Sequence, residues 1–460
     1  LTIQRMFKAN KFEIPSYQRA YSWETPQLKQ FVADLLEARE KYYMGHFLFE
    51  NSGDTLLVID GQQRITTCMI FFRAVVNVLN KKNAVDFDRQ IKICRSYLYD
   101  ANEDLPGLKT VSYDNAYFQD LIIENSEQTS VATKSQQNIK SAKSFFEKEL
   151  NKLSGEDIVR IVTLLQQATV TQFIVDDKAM AAQIFAFQND RGKSLSALEK
   201  IKSYFLLQVY LESDGALQKN TVDYIDSQFA KIYEQIVRIR TNEDEVLNYY
   251  WRSRSPDGYD SEKTLDEIKN ALALEDNKGQ WIKKFVSELA AAFQFVEYFE
   301  KSENAFPVRL RQLDNLSLAY PFMIKANRLH VEFNGRVFQR LLHFLENITF
   351  RGLLRGGRAE LPKRLNWHLI SFCSEDSLDS TITQMVDQLR NDYGYWGFWG
   401  NREMTRLLSG YFYQNKVDNY FLWQYELYRH GKGYGGPIAV NFSDLVKDEN
   451  IEHIAPRTPT

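Results

Sequence analysis

The spacing of apolar positions changes several times along the first eighty residues, and each change predicts an element. In "TPQLKQFVADLLEARE" (25–40), Leu28, Phe31, Val32, Leu35 and Leu36 recur at helical spacing and share one face. Thr25 reads as its N-cap, with Pro26 suited to the first helical position. "KFEIP" (11–15) predicts a short strand stopped by Pro15. "HFLFE" (46–50) and "TLLVI" (55–59) predict two strands joined by the turn residues "NSGD". "RITTCMIFFRAVVNVLN" (64–80) is apolar on nearly every side, which predicts a long buried helix.

Residues 86–168 alternate amphipathic helical stretches with polar loops such as "YDANEDLPG". "VTQFIV" (170–175) predicts a strand, and "AMAAQIFAFQ" (179–188) a helix broken by "NDRGKS". From about 200 to 430 the pattern is almost wholly helical, as in "WIKKFVSELAAAFQFVEYF". "HGKGYGGP" (430–437) reads as a glycine-rich linker. There is no repeat of fixed period and no low-complexity tract. The expected architecture is α+β: a front domain over 1–210 with a small mixed sheet and helical insertions, a large mostly α-helical domain over 211–437, and the opening of a further domain over 438–460.

Composition narrows this picture. A chain of 460 residues is too long for one ordinary core, so two or three domains are expected. Net charge −3 argues against a globally basic nucleic-acid binder and leaves room for a local basic face. Aromatic content of 14% is spread along the chain, as aromatic-rich helical cores require. Cys68, Cys94 and Cys373 lie far apart without a CxxC, so each is expected to be a small core hydrophobe in a reducing cytosol. The six histidines are scattered without an HExxH. No apolar run reaches the roughly 18 residues that span a bilayer; "CMIFF" (68–72), for instance, is cut by Arg73. The start lacks the apolar stretch of a signal peptide, and it lacks an initiator Met. The chain is expected to be a fragment of a cytoplasmic protein.

Chemistry first surfaces in "VIDGQQR" (58–64). A strand ending at Asp60 and turning at Gly61 delivers the next residues to a helix N-terminus, where free N–H groups and the dipole favour an anion. Gly61 permits positive φ and close approach to a phosphate. Arg64 can fork onto phosphate oxygens, Asp60 can hold a metal or a water, and Gln62, Gln63, Thr66 and Thr67 add neutral donors and acceptors. The same residues also suit a plain helix cap with a surface salt bridge, and no GxxxxGK[ST] is present. Further on, Ser196 and Glu199 form an S-x-x-E capping box that predicts a helix start near Ala197. "NDRG" just ahead is either a ligand-facing loop or an interhelical turn capped by Gly192. Asp176 and Asp177 suit metal ligands or solvated turn carboxylates.

Three blocks together carry a resemblance: "IPSYQRAYSW" (14–23), then "GHFLF" with "VIDGQQRITT", then "IFAFQNDRGKSLSALEKIKSYF" (184–205). In order and spacing they resemble the N-terminal domain of the GmrSD-type restriction endonucleases. Phe187 and Gln188 stand where that family usually has Thr-Leu, and Glu199 where it often has Asp. The resemblance implies a ParB/sulfiredoxin-like nucleotide-binding fold over 1–210. It implies a nucleotide loop of Asp60, Gly61, Gln62, Gln63 and Arg64, with Asp60 holding Mg²⁺. Tyr17, Gln18 and Arg19 would line the cleft above Trp23, and Asn189, Asp190, Arg191 and Gly192 would close it. The implied activity is hydrolysis of a nucleoside triphosphate, GTP favoured, in a modification-dependent (type IV-like) restriction endonuclease of anti-phage defence.

The terminal "IEHIAP" (451–456) resembles the first strand of the His-Asn-His nuclease domain of the same family. That resemblance makes His453 a general base and Glu452 its acidic neighbour, with the rest of the motif beyond Thr460. "RGLLRGGRAELPKR" (351–364) gathers Arg351, Arg355, Arg358, Lys363 and Arg364, which could grip the backbone of double-stranded, modified DNA or form a solvated loop; Lys325 joins them if the fold brings it near. "YYWRSRS" (249–255) is open to the same two readings. Against the coupled NTPase stand a switch that binds nucleotide without hydrolysis and a DNA clamp resembling chromosome-partitioning proteins. Homo-oligomerisation is left open, and no membrane partner is expected.

Overall fold

In the computed structural model, residues 1–15, 18–38, 42–83, 85–100, 105–126, 128, 130–175, 196–213, 215–255, 263–356, 361–410, 417–434 and 442 are described. The chain divides into two compact units: Leu1–Asp244 with Lys269–Ala290, and Glu245–Ile268 with Ala291–Thr460.

The first unit holds a five-stranded mixed sheet among the described residues. Its strands are β1 (Lys11–Glu13), β2 (Tyr43–Ser52), β3 (Thr55–Asp60), β6 (Leu108–Lys109) and β7 (Thr169–Val175), in the order β6-β1-β3-β2-β7. β2 and β3 are the expected hairpin, antiparallel, turning at Gly53 with φ +71°. β1 runs parallel to β3 and β6, and β7 runs parallel to β2. Short strands β4 (Tyr99–Asp100) and β5 (Leu105–Pro106) form a separate ribbon.

Behind the strands lies α3 (Gln62–Asn83), whose apolar residues from Ile65 to Leu79 are at most 1% exposed. Val75, Val76 and Val78 are poor helix formers, yet burial on all sides outweighs that propensity. α1 (Ile3–Ala9), α2 (Thr25–Glu37), α4 (Asp88–Leu98), α5 (Ser112–Phe118), α6 (Lys134–Asn151) and α7 (Gly155–Gln167) complete this α+β core. Arg73, which interrupts the apolar run, is buried. Its guanidinium donates to the carbonyls of Ile122 and Ile123 at the end of a π-helical turn, Gln119–Ile123. α8 (Ala197–Glu212) starts where the capping box predicts, with Ser196 accepting from Glu199 N–H and Glu199 from Ser196 N–H. α9 (Gly215–Ile236) packs on α8 within the same unit.

Two expectations are corrected. The N-cap of α2 is Glu24, not Thr25: Glu24 N–H donates to Gln27 Oε1 at 3.0 Å, which places Thr25 and Pro26 inside the first turn. Cys68 and Cys94 are buried as expected, but Cys373 is exposed.

The described part of the second unit is helical. α10 (Glu243–Arg254), α11 (Thr264–Ala273) and α12 (Lys278–Lys301) carry the chain across the unit boundaries. They are followed by α13 (Ala305–Gln312), α14 (Tyr320–Arg328), α15 (Arg336–Arg355), α16 (Leu361–Ser371), α17 (Glu375–Arg390), α18 (Asn401–Leu408) and α19 (Asp418–Gly431). α15 is the centre of this unit, packed by α13, α14, α17 and α18. Among the described residues, no helix is long and apolar enough to cross a membrane.

Candidate functional site at the start of α3

One residue, Gly61, turns the chain from β3 into α3. Its φ is +96°, and a Cβ there would fall 2.3 Å from Cδ1 of Phe47 on β2. Glycine is therefore required twice, for the dihedral and for the ring that rests against the turn. The first intrahelical bond runs from Ile65 N–H to Gly61 O at 3.0 Å, so the amides of Gln62, Gln63 and Arg64 precede the helical ladder.

Arg64 closes the helix onto β2. Nη1 donates to Met44 O at 2.9 Å and Nη2 to His46 O at 2.8 Å, while the guanidinium carbon lies 4.6 Å from the Phe47 ring centre. Gly45, at φ +101°, makes room: a Cβ there would stand 2.1 Å from Nη1. Asp60 Oδ2 is 3.3 Å from Arg64 Nη2 and 3.3 Å from His46 Nε2. The fork expected to face phosphate oxygens is directed at strand carbonyls instead. The Arg64 and His46 contacts of Asp60 both fall on Oδ2 of its carboxylate. Among the described residues no three His, Cys, Asp or Glu side chains converge as a metal cluster.

The other glutamines divide the work. Gln63 is structural: Oε1 accepts from Ser22 N–H at 2.8 Å, and Nε2 donates to Ala20 O at 3.0 Å. Gln18 Nε2 donates to Ile59 O at 2.6 Å, and the hydroxyls of Tyr21 and Thr67 share a bond of 2.9 Å. These contacts tie the first sequence block to the second. Trp23 is half-buried beside Phe31.

Gln62 differs. It is buried at 6% exposure, yet its Oε1 has no hydrogen-bond partner among the described residues. With Thr66, Arg19 and Asp114 it lines a cavity of about 10 Å³, enough for roughly one water. Burial lowers the pKa of the Arg19 guanidinium, and the Glu199 carboxylate opposes that shift. Burial raises the pKa of Glu199, against the Ser196 N–H and Arg19. Asp114, on α5, is also raised by burial, although the hydroxyls of Ser135 and Thr133 donate to it. Deeper lies Lys202, 2% exposed, with Nζ 3.1 Å from Asp226 and 5.0 to 5.7 Å from the ring centres of Tyr113, Phe229 and Tyr233. Burial lowers its pKa and Asp226 counters.

Lys202 and Asp114 escaped the reading of the sequence. Lys202 had one signal, its i+3 spacing from Glu199 on a helix face otherwise made of Leu198, Ile201 and Phe205. Asp114 had none. Tyr17, Asp176, Asp177, Asn189, Asp190, Arg191, Gly192, Arg358, Glu452 and His453 lie outside the described residues.

In the second unit the expected basic grip is mostly spent internally. Arg351 donates to Trp399 O at 2.7 Å and to Asn401 at 2.9 Å, and Arg355 lies 3.2 Å from Glu403. Arg364 stacks 4.0 Å from the Tyr395 ring centre, and Lys363 is exposed. Lys325 donates to Leu369 O and Ile370 O rather than joining the loop, its pKa lowered by burial to about 8. Of the arginines in "YYWRSRS", Arg252 reaches Ser317 O and Arg254 the Tyr250 hydroxyl.

Residues 3–206, which contain all three blocks, match the family model of the GmrSD restriction endonuclease N-terminal domain. The match covers 204 of the 460 residues and makes this N-terminal part of the chain similar to the GmrSD-type restriction endonucleases. No curated protein matches the chain.

The Gly61 turn and the Arg64 clasp make separate predictions. Gly61→Ala should lower denaturant stability more than Gly53→Ala, because both positions have positive φ but only Gly61 faces a ring; equal losses would contradict the packing. Arg64→Ala should cost roughly 1–2 kcal/mol, chiefly by stranding the part-buried Met44 carbonyl, read as a fall in the urea midpoint at unchanged slope. An unchanged midpoint would show that the clasp holds nothing.

Proposed function

We propose that this chain is the nucleotide-binding, NTP-hydrolysing part of a modification-dependent DNA restriction endonuclease of anti-phage defence, with GTP the favoured nucleotide. One observation carries this reading: a buried acceptor without a partner, Gln62 Oε1, in the first turn of a helix whose leading amides precede its ladder. Stranding such an atom costs on the order of 1–3 kcal/mol, and Gln62 Oε1 stands out among the buried unpartnered atoms of the described residues by its place beside Arg19 at the Gly61 turn. Here a ligand hydroxyl or a water repays the cost.

In this reading the amides of Gln62, Gln63 and Arg64 and the Arg19 guanidinium receive phosphate oxygens. Gln62 Oε1 accepts from the attacking water and holds it in line, the task of an orienting glutamine in phosphoryl transfer. Tyr17, Thr66 and Asn189 to Gly192 complete the pocket on the strength of the family resemblance. Arg64 acts by positioning: it keeps the start of α3 against β2. When bound, magnesium would supply neutralisation of the phosphate charge. Asp60, whose Oδ2 lies between Arg64 and His46, is the described residue that would hold the ion. His453 would serve the nuclease reaction on double-stranded DNA.

The test is Gln62→Leu. Removing an acceptor that bonds nothing should leave the melting temperature unchanged or higher, whereas GTP affinity in calorimetry with Mg²⁺ and phosphate release should both fall at least tenfold. Wild-type binding retained by Gln62→Leu, or no binding of any NTP by the unaltered chain, would defeat the proposal. Tight binding with no phosphate release over hours would leave a switch in place of a hydrolase.

A further inference from the structure

A second concavity in the first unit lies roughly two and a half turns along α3 from the Gly61 turn, counted from Arg64 to Arg73. It is a cleft of about 1310 Å³ bounded by α1, α3, α4, β6 and the π-helical turn. Six cationic side chains line it, Lys8, Lys11, Arg73, Lys92, Arg95 and Lys109, against the carboxylates of Asp100 and Glu124. Three of the six are engaged: Lys11 with Asp100 at 2.8 Å, Lys92 with Asp88 at 2.7 Å, and Arg73 with the two carbonyls it caps.

Lys8, Arg95 and Lys109 are exposed and have no ion-pair partner among the described residues. Arg95 also stands close enough to Arg73 to reinforce the effect of burial, which brings Arg73 down to about 10. Like charges gathered in a concavity raise the energy of the free protein and focus a positive field that an anion relieves. Much of the neutral wall is amide: Asn80 is exposed, while Gln119 Nε2 already donates to Leu108 O and Asn115 Oδ1. Phe7 and Leu98 line the cleft but are themselves buried, which leaves Tyr99 as the exposed ring among its lining residues. A mononucleotide would find charge here but little to grip its base. An extended run of phosphates would use several cations at once.

We propose that this cleft binds the phosphodiester backbone of DNA through Lys8, Arg95 and Lys109. The inference deepens the proposed function and rests on DNA being the partner. It assigns that contact to the first unit, where Lys8, Arg95 and Lys109 have no ion-pair partner among the described residues, instead of the 351–364 loop, where Arg351, Arg355 and Arg364 already serve the fold.

Fluorescence anisotropy of a labelled 30-base-pair duplex, titrated with the full chain across a series of KCl concentrations, tests it. The combined Lys8→Ala, Arg95→Ala, Lys109→Ala variant should bind at least tenfold more weakly. Its slope of log affinity against log salt should be shallower by about 2 to 3, near 0.9 for each phosphate no longer neutralised. A control removing Lys29, Lys140 and Lys148, also exposed, should leave both quantities near wild type, and all three proteins should keep the same GTP affinity. Unchanged slope and affinity in the cleft variant, or equal loss in the control, would overturn the cleft while DNA remains a partner. Absence of duplex binding by wild type would remove the cleft and the DNA partner together. Loss of GTP affinity in the cleft variant alone would mark a free-nucleotide site and also refute the backbone assignment.

Discussion

The clasp between Arg64 and β2 is the contact on which the front of this protein depends. A guanidinium in the first turn of a helix would ordinarily face solvent or a ligand. Here it is drawn back across the Phe47 ring onto the carbonyls of Met44 and His46, and two positive-φ glycines, Gly45 and Gly61, exist to let it and the ring lie flat. The clasp fixes the direction in which α3 leaves the sheet. It thereby fixes where Gln62 points, since adjacent helical residues face directions about 100° apart. Gln63 is turned toward the 20–22 segment, and Gln62 is left facing Arg19 and Asp114.

Behind that face lies a graded layer of charge. Arg19 and Glu199 are partly desolvated and shift each other's titration in opposite senses. Lys202 and Asp226 sit deeper, among aromatic rings. Buried charge of this kind stabilises poorly compared with apolar packing. Its concentration beside Gln62 Oε1, unpartnered among the described residues, supports the view that this end of α3 is built for a ligand.

Local chemistry was legible in the amino-acid sequence wherever a few neighbouring residues decide the outcome. The "NSGD" hairpin, the all-round apolar α3 and the Ser196–Glu199 box each follow from contacts within a handful of positions. The α+β class and the family domain over 3–206 followed from those elements and the three blocks. The part each arginine plays was not legible, because its acceptors lie far away in the chain. Arg64 answers to carbonyls about twenty residues earlier, Arg73 to carbonyls about fifty residues later, and Arg351 to the Trp399 and Asn401 region. A basic run reads the same in sequence whether its charges are spent on carbonyls or open to a partner. Hence the 351–364 stretch stands out as a basic run, while Lys8, Arg95 and Lys109, scattered over a hundred positions, form no run at all.

The central claim, that the start of α3 is the nucleotide site, is tested most directly by hydrogen–deuterium exchange of the full chain with and without GTP and Mg²⁺. The account predicts slowed exchange concentrated in peptides covering 18–23 and 59–67, with peptides covering 92–99 unchanged. Protection confined to other regions, with the amides of Gln62 to Arg64 exchanging as fast as in the free protein, would contradict it.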